Sequence, residues 1–159
     1  MSQQWHLAQL NIARPRAALD HPVMTEFMTN LERINGLGDR SPGFVWRLQD
    51  EGGDATGLEQ PFGPGIIVNL TLWYSLEALR AYVYRTEHTA FLRRRGEWFQ
   101  GLPGPHLVLW WVSAGHRPTL GEAKSRLERL ALMGPTAEAF TFARGFDADG
   151  LQRRRAATG

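Results

Sequence analysis

Residues 66–98, IIVNLTLWYSLEALRAYVYRTEHTAFLRRRGEW, decide how this chain is read. The first eight are apolar apart from Asn69 and Thr71. Strand side chains alternate between faces, so Asn69, Thr71 and Trp73 share one face and Val68, Leu70 and Leu72 the other. A strand with one mixed and one aliphatic face has two different neighbours. Ser75 then suits a helix N-cap, with Glu77 in the first turn, where the helix dipole favours an anion. Leu76, Leu79 and Val83 recur at helical spacing, with Tyr82 beside them. After a break near Arg85, Thr86 caps a second helix. In it His88, Phe91, Leu92, Arg95, Trp98 and Phe99 fall at i, i+3, i+4, i+7, i+10 and i+11, which is one helical face.

That face is apolar except for His88 and Arg95. Two readings follow. In one, His88 marks the helix start and Arg95 snorkels at the rim. In the other, both border a cavity between helix and sheet. A buried cation needs a partner, and the stripe carries no acid. The second reading therefore predicts that His88 and Arg95 face polar strand residues such as Asn11, Arg47 or Asn69.

Outward from this stretch, residues 5–13 alternate as a strand, with Trp5, Leu7, Gln9 and Asn11 on one face. Asp20 or His21 caps a helix with Pro22 in its first turn. Met24, Phe27, Leu31 and Ile34 are its buried stripe, and Gly36 is the expected stop. Residues 44–49 read as a second strand, with Phe44, Trp46 and Leu48 on one side and Val45, Arg47 and Gln49 on the other. Residues 50–65 are glycine-rich and acidic, and read as a mobile loop. Residues 106–113 are apolar on both faces and are expected inside the sheet. Thr119 and Glu122 form a T-x-x-E capping box. It opens a helix striped by Leu120, Ala123, Leu127 and Leu130 and closed by Gly134-Pro135. Residues 139–143 read as a short fifth strand.

The order β-α-β-β-α-α-β-α contains a ferredoxin-like β-α-β-β-α-β unit. It predicts one α+β domain over residues 1–144 and a basic tail over 145–159. The expected core is a four-stranded antiparallel sheet with helices on one face. The other face would then be bare and apolar, which calls for a partner; a second copy packed sheet to sheet, giving a homodimer, is the expectation.

Composition narrows the function classes. The chain has 159 residues, 43% of them hydrophobic and 21% charged, which suits one globular domain with a sizeable core. No apolar run reaches the roughly 18 residues of a membrane span, and the first residues lack a signal-peptide pattern. With no cysteine there are no disulfides and no thiolate chemistry, and a cytoplasmic setting is expected. The net charge is only +2, and the Arg93–Arg94–Arg95 and Arg153–Arg154–Arg155 triplets accompany no nucleic-acid motif, so no nucleic-acid partner is expected. The five histidines show no metal-ligand spacing. G-x-S-x-G, GxGxxG and the P-loop are absent. Trp73, Trp98 and the Trp110-Trp111 pair offer an aromatic wall for a flat apolar ligand.

VNLTLWYSLEALRAYVYRTEH, RRRGEWF, LVLWWVSAGHRPTLGEAKSRLERL and GPTAEAFTF resemble the bacterial family DUF3291 over about residues 5–143. That family resembles a branch of the dimeric α+β barrel superfamily, which includes antibiotic-biosynthesis and haem-degrading monooxygenases. By that resemblance Asn11 corresponds to a pocket asparagine and Tyr82 to a pocket aromatic. The axial histidine of the haem-degrading relatives would fall at Leu92 or Arg93, where this chain has none; His88 is the nearest. The resemblance and the residues together imply a small-molecule enzyme, a monooxygenase or isomerase working without a cofactor on an aromatic or polyketide-like substrate. His88 is the expected base and Arg95 the anion anchor. Asn11, Arg47, Asn69, Trp73, Tyr82, Phe91, Trp98 and Trp110 are the expected lining. The alternatives are a non-catalytic binder of an apolar ligand and a haem-binding protein.

Overall fold

The computed structural model describes residues 4–49, 56 and 59–149. Its strands are β1 (Trp5–Pro15), β2 (Phe44–Arg47), β3 (Ile67–Trp73), β4 (Phe99–Gln100) and β5 (Leu107–Ser113). Its helices are α1 (Thr25–Arg40), α2 (Leu76–Arg85), α3 (His88–Arg93), α4 (Arg95–Trp98) and α5 (Leu120–Met133). The four long strands lie in the order β2-β3-β1-β5, all antiparallel, and two residues of β4 extend the end of β1. This is the ferredoxin-like α+β arrangement. Arg153–Arg155 and most of the 50–65 loop lie outside the described residues.

Strand alternation divides the interior in two, as residues 66–73 indicated. Ala8, Leu10, Val68, Leu70, Val108 and Trp110 belong to one apolar cluster. Leu7, Trp73, Leu109 and Trp111 belong to the other, with Leu79 of α2. The expectation that all helices share one face is corrected here. Ala123, Leu127 and Leu130 of α5 join the first cluster, so α5 covers the face that α1–α4 leave. Trp110 goes with it. Its indole Nε1 donates to Glu122 of α5 at 2.9 Å, so it lies away from the wall where it was expected. The parity of β5 dictates this: Trp110 pairs with Ala8, one residue out of phase with Leu109 and Trp111.

Other elements depart from expectation for local reasons. The α1 helix runs past Gly36 to Arg40 and ends at Ser41, whose Oγ donates to the carbonyl of Leu37 at 2.7 Å. A glycine weakens a helix but does not stop it when packing supports the next turn. Here Gly38 is buried against the Tyr82 ring, and a Cβ on it would come within 3.3 Å of that ring. At Gly43, φ is +85° and an added Cβ would lie 2.4 Å from that of Ala78, so only glycine fits this turn against α2. The apolar strand β5 stands at the edge of the sheet rather than inside. Its outer edge meets one bridge, Leu109 with Phe140, and residues 139–143 form no strand. Burial of β5 comes from its two covered faces.

Candidate functional site

Between the Leu7–Trp73 face of the sheet and helices α1–α4 lies a cavity of about 590 Å³. That is within the range of small-molecule sites. His88, Phe91, Leu92, Arg95, Trp98 and Phe99 all line it. The predicted stripe holds even though its helix does not stay continuous: the chain breaks at Arg94, between α3 and α4. Arg94 turns outward to Glu97 at 2.8 Å and to Glu26 of α1 at 2.5 Å, and Gly96 follows in the short α4. Arg33 of α1 pairs with Glu87 at the start of α3. These exposed pairs stitch α1 to α3–α4 over the cavity.

The strand walls come from β1, β2 and β3. Asn11, Asn69, Thr71, Trp73 and Arg47 all line the cavity. Arg47 was expected on the side opposite Phe44. A register shift between Phe44 and Trp46 corrects that, pairing Phe44 with Trp73 and Arg47 with Thr71, so both reach the cavity. Arg47 is not a free anchor, however. Its Nε meets Asp39 Oδ1 at 2.8 Å and its second nitrogen meets Oδ2 at 3.3 Å, with the side chain only 14% exposed.

The aromatic part is built from pairs. Trp73 stacks on Tyr82 at 5.1 Å, and Phe44 meets Trp73 edge-on at 5.5 Å. Phe91 stacks on Trp98 at 5.5 Å, and Phe27 meets Phe99 edge-on at 5.0 Å. The Tyr82 hydroxyl donates to the Ile34 carbonyl at 3.0 Å, tying α2 to α1. Burial and the charge of Asp39 hold that phenol far above its ordinary pKa, so it stays protonated. Tyr82 thus offers the cavity a ring face.

His88 owes its place to the end of α2. A helix leaves its last carbonyls without helical partners. The Val83 carbonyl accepts from Thr89 Oγ1 at 2.9 Å and faces His88 Nδ1 at 3.3 Å, while Thr86 Oγ1 accepts from His88 N at 3.2 Å. A carbonyl only accepts, so Nδ1 carries the proton and Nε2 keeps its lone pair. Burial lowers the His88 pKa below its ordinary value, against a smaller opposing effect of the Val83 bond. The ring packs on Tyr82 at 4.9 Å. His88 is a neutral, oriented imidazole.

Arg95 lies at another part of the lining, its guanidinium over the Phe99 ring at 5.8 Å. Desolvation lowers its pKa, and among the described residues no carboxylate pairs with it.

Gln9 and His106 of the lining, and Asp39 behind it, escaped the sequence reading. Gln9 is 5% exposed, and its Nε2 donates to Thr71 Oγ1 at 2.9 Å and Asn69 Oδ1 at 3.0 Å. Trp73 Nε1 donates to the same Thr71 oxygen at 2.9 Å. The available signal was a glutamine inside a strand, on the face shared with Asn11. His106 lines the cavity just before β5, its pKa lowered by burial and by Arg95. Asp39, the partner of Arg47, could be found only by closing the α1–β2 turn.

Residues 6–156 match the domain of unknown function DUF3291. The chain belongs to the DUF3291 family. No curated protein matches it. Among solved structures, this DUF3291 chain is similar to NE2512 of Nitrosomonas europaea, a protein of unknown function. The identity is 9% and the TM-score 0.46, covering 74% of this chain and 97% of that one. It is similar to SnoaB of Streptomyces nogalater, a cofactor-independent oxygenase, at 16% identity and TM-score 0.45, covering 75% and 98%. It is also similar to MupZ of Pseudomonas fluorescens at 11% identity and TM-score 0.41, covering 94% and 93%. Among the described residues of the DUF3291 chain, no three His, Asp or Glu side chains gather as a metal site, and no helix is long and apolar enough to cross a membrane.

Proposed function

We propose that this protein is a small-molecule enzyme that starts its reaction by proton abstraction from a flat aromatic or polyketide-like substrate. The observation that carries this is the presence, in one aromatic cavity, of a neutral imidazole and a cation that has no counter-ion among the described residues. His88 Nε2 takes a proton from an acidic C–H or O–H of the substrate. The electron pair left behind delocalises over the rings, in the field of Arg95. Trp73, Tyr82, Phe91 and Trp98 hold the substrate plane. Asn11 and Asn69 position its oxygens.

This first step serves two outcomes. Reprotonation at a conjugated carbon gives an isomer. Capture of molecular oxygen at the carbanion converts a CH₂ into a ketone, with the second oxygen atom leaving as water; neither route calls for a cofactor. The test uses purified protein and anthrone, a tricyclic ketone with an acidic CH₂. Product is followed by mass spectrometry and oxygen by electrode. Turnover that falls about 100-fold or more in His88→Ala, with binding retained, is expected. Saturable binding of such ligands with no product from any of a panel would leave a binder instead. A Soret band on haemin titration that is lost in His88→Ala would favour haem binding.

A further inference from the structure

We propose that the cavity takes its ligand as an anion, a planar aromatic or polyketide-type carboxylate whose charged group lies at the end formed by Arg95, Asn11 and His106. This deepens the reading above and rests on it only for the cavity as a small-molecule site.

The three residues meet because β1 organises that end. Asn11 pairs with Leu107, and the Ile12 amide donates to the His106 carbonyl at 2.9 Å, which brings His106 in beside Asn11. Two residues of β4 pair with Arg14 and Pro15, and the Arg16 amide donates to the Trp98 carbonyl at 2.8 Å, which lays α4 and its Arg95 against the same end of β1.

Charge then points one way. Two arginines line the cavity, and Asp39 compensates Arg47. Arg95 is half-buried and has no such partner among the described residues. A guanidinium stripped of water needs acceptors to replace it. None of the described residues lining the cavity is an aspartate or glutamate. Burial, and after it the nearby Arg95, lowers the His106 pKa, so Arg95 is the permanent positive charge at this end. That suits one carboxylate, taken by the planar guanidinium through two parallel hydrogen bonds, better than a doubly charged phosphate. Asn11 Oδ1 is buried with no hydrogen-bond partner. Asn11 lines the cavity, and its Nδ2 is the donor it can offer an anion. Phe91 and Trp98, stacked on each other, belong to the same lining as these three residues.

The test compares two probes of one shape, 2-naphthoate and 2-naphthamide, titrated against the full chain by tryptophan fluorescence. Naphthoate is expected to bind about 10-fold or more tightly, as charge-assisted hydrogen bonds allow. Arg95→Gln, its fold checked by circular dichroism, is expected to abolish the preference; Arg95→Lys is expected to keep part of it. Equal binding of the two probes by the parent protein, or a preference that survives Arg95→Gln, overturns the anionic ligand and leaves base-initiated chemistry on a neutral substrate standing. Failure of both probes to bind overturns the cavity as a ligand site, and both readings with it.

Discussion

His88 is the residue on which the chemistry turns, and its neutrality has a consequence that pH can read. Folding lowers its pKa by burial. Between the ordinary value of about 6.5 and the lower folded value, the unfolded chain binds the proton and the folded one does not. Stability is therefore fully present above about pH 6.5 and is lost as pH falls through the folded pKa. His106 shifts in the same direction and adds to the slope. Urea midpoints measured over this acid window are expected to fall with pH, and less steeply in His88→Ala. The same titration removes the base, so kcat/KM is expected to drop on an acid limb lying below pH 6.5. A limb above that value would mean that His88 is charged in the free protein. Glu122 shows a residue doing something other than its motif suggests. Thr119 Oγ1 accepts from the Glu122 amide at 3.1 Å, as a capping box requires. The Glu122 carboxylate instead accepts from Trp110 and meets His116 Nε2 at 2.7 Å. It locks α5 onto the sheet.

Elements were legible wherever a face could be read from spacing. Asn69, Thr71 and Trp73 on one side, and the six-residue stripe from His88 to Phe99, needed only the periods of strand and helix. The bulge at β2 was not legible, because one extra residue changes no composition but flips every side chain after it. That is why Phe44 and Arg47 share a face. The extent of α1 was illegible for a related reason: Gly38 packs under Tyr82, a residue 44 positions on, and only tertiary contact explains why the helix continues. Two substitutions probe these joints. Tyr82→Phe removes the hydroxyl that reaches the Ile34 carbonyl and is expected to cost about 0.5–1.5 kcal/mol by urea denaturation. Gly43→Ala must adopt φ near +85° and displace Ala78, and is expected to cost about 2 kcal/mol or more. If Gly43→Ala left stability unchanged, the close contact between this turn and α2 would be disproved.

At the scale of the molecule, the expected bare sheet face does not exist in this chain, and that bears on assembly. Ala8, Leu10, Val108 and Trp110 are each fully buried within one chain, beneath α5. What remains half-open on that side is the β2 edge, where Val45, Trp46 and Leu48 pack only partly against the cluster and Arg117 stands over the Trp46 ring at 5.7 Å. An edge strand with half-exposed apolar side chains is where chains pair. The homodimer is therefore expected to form around this edge and the flank of α5 rather than by two naked sheets. A stable dimer buries about 1,200–2,000 Å², so Trp46 would sit near the centre of its contact. Light scattering at micromolar concentration is expected to give twice the 17.9 kDa of one chain. Trp46→Glu, which places a charge in that contact, is expected to return the single-chain mass while α5, Trp110 and the cavity on the opposite face stay intact, as naphthoate titration would report. A single-chain mass for the parent protein removes the dimer. A dimer that Trp46→Glu leaves intact moves the contact elsewhere, with the exposed Leu132 and Met133 at the end of α5 the next residues to change.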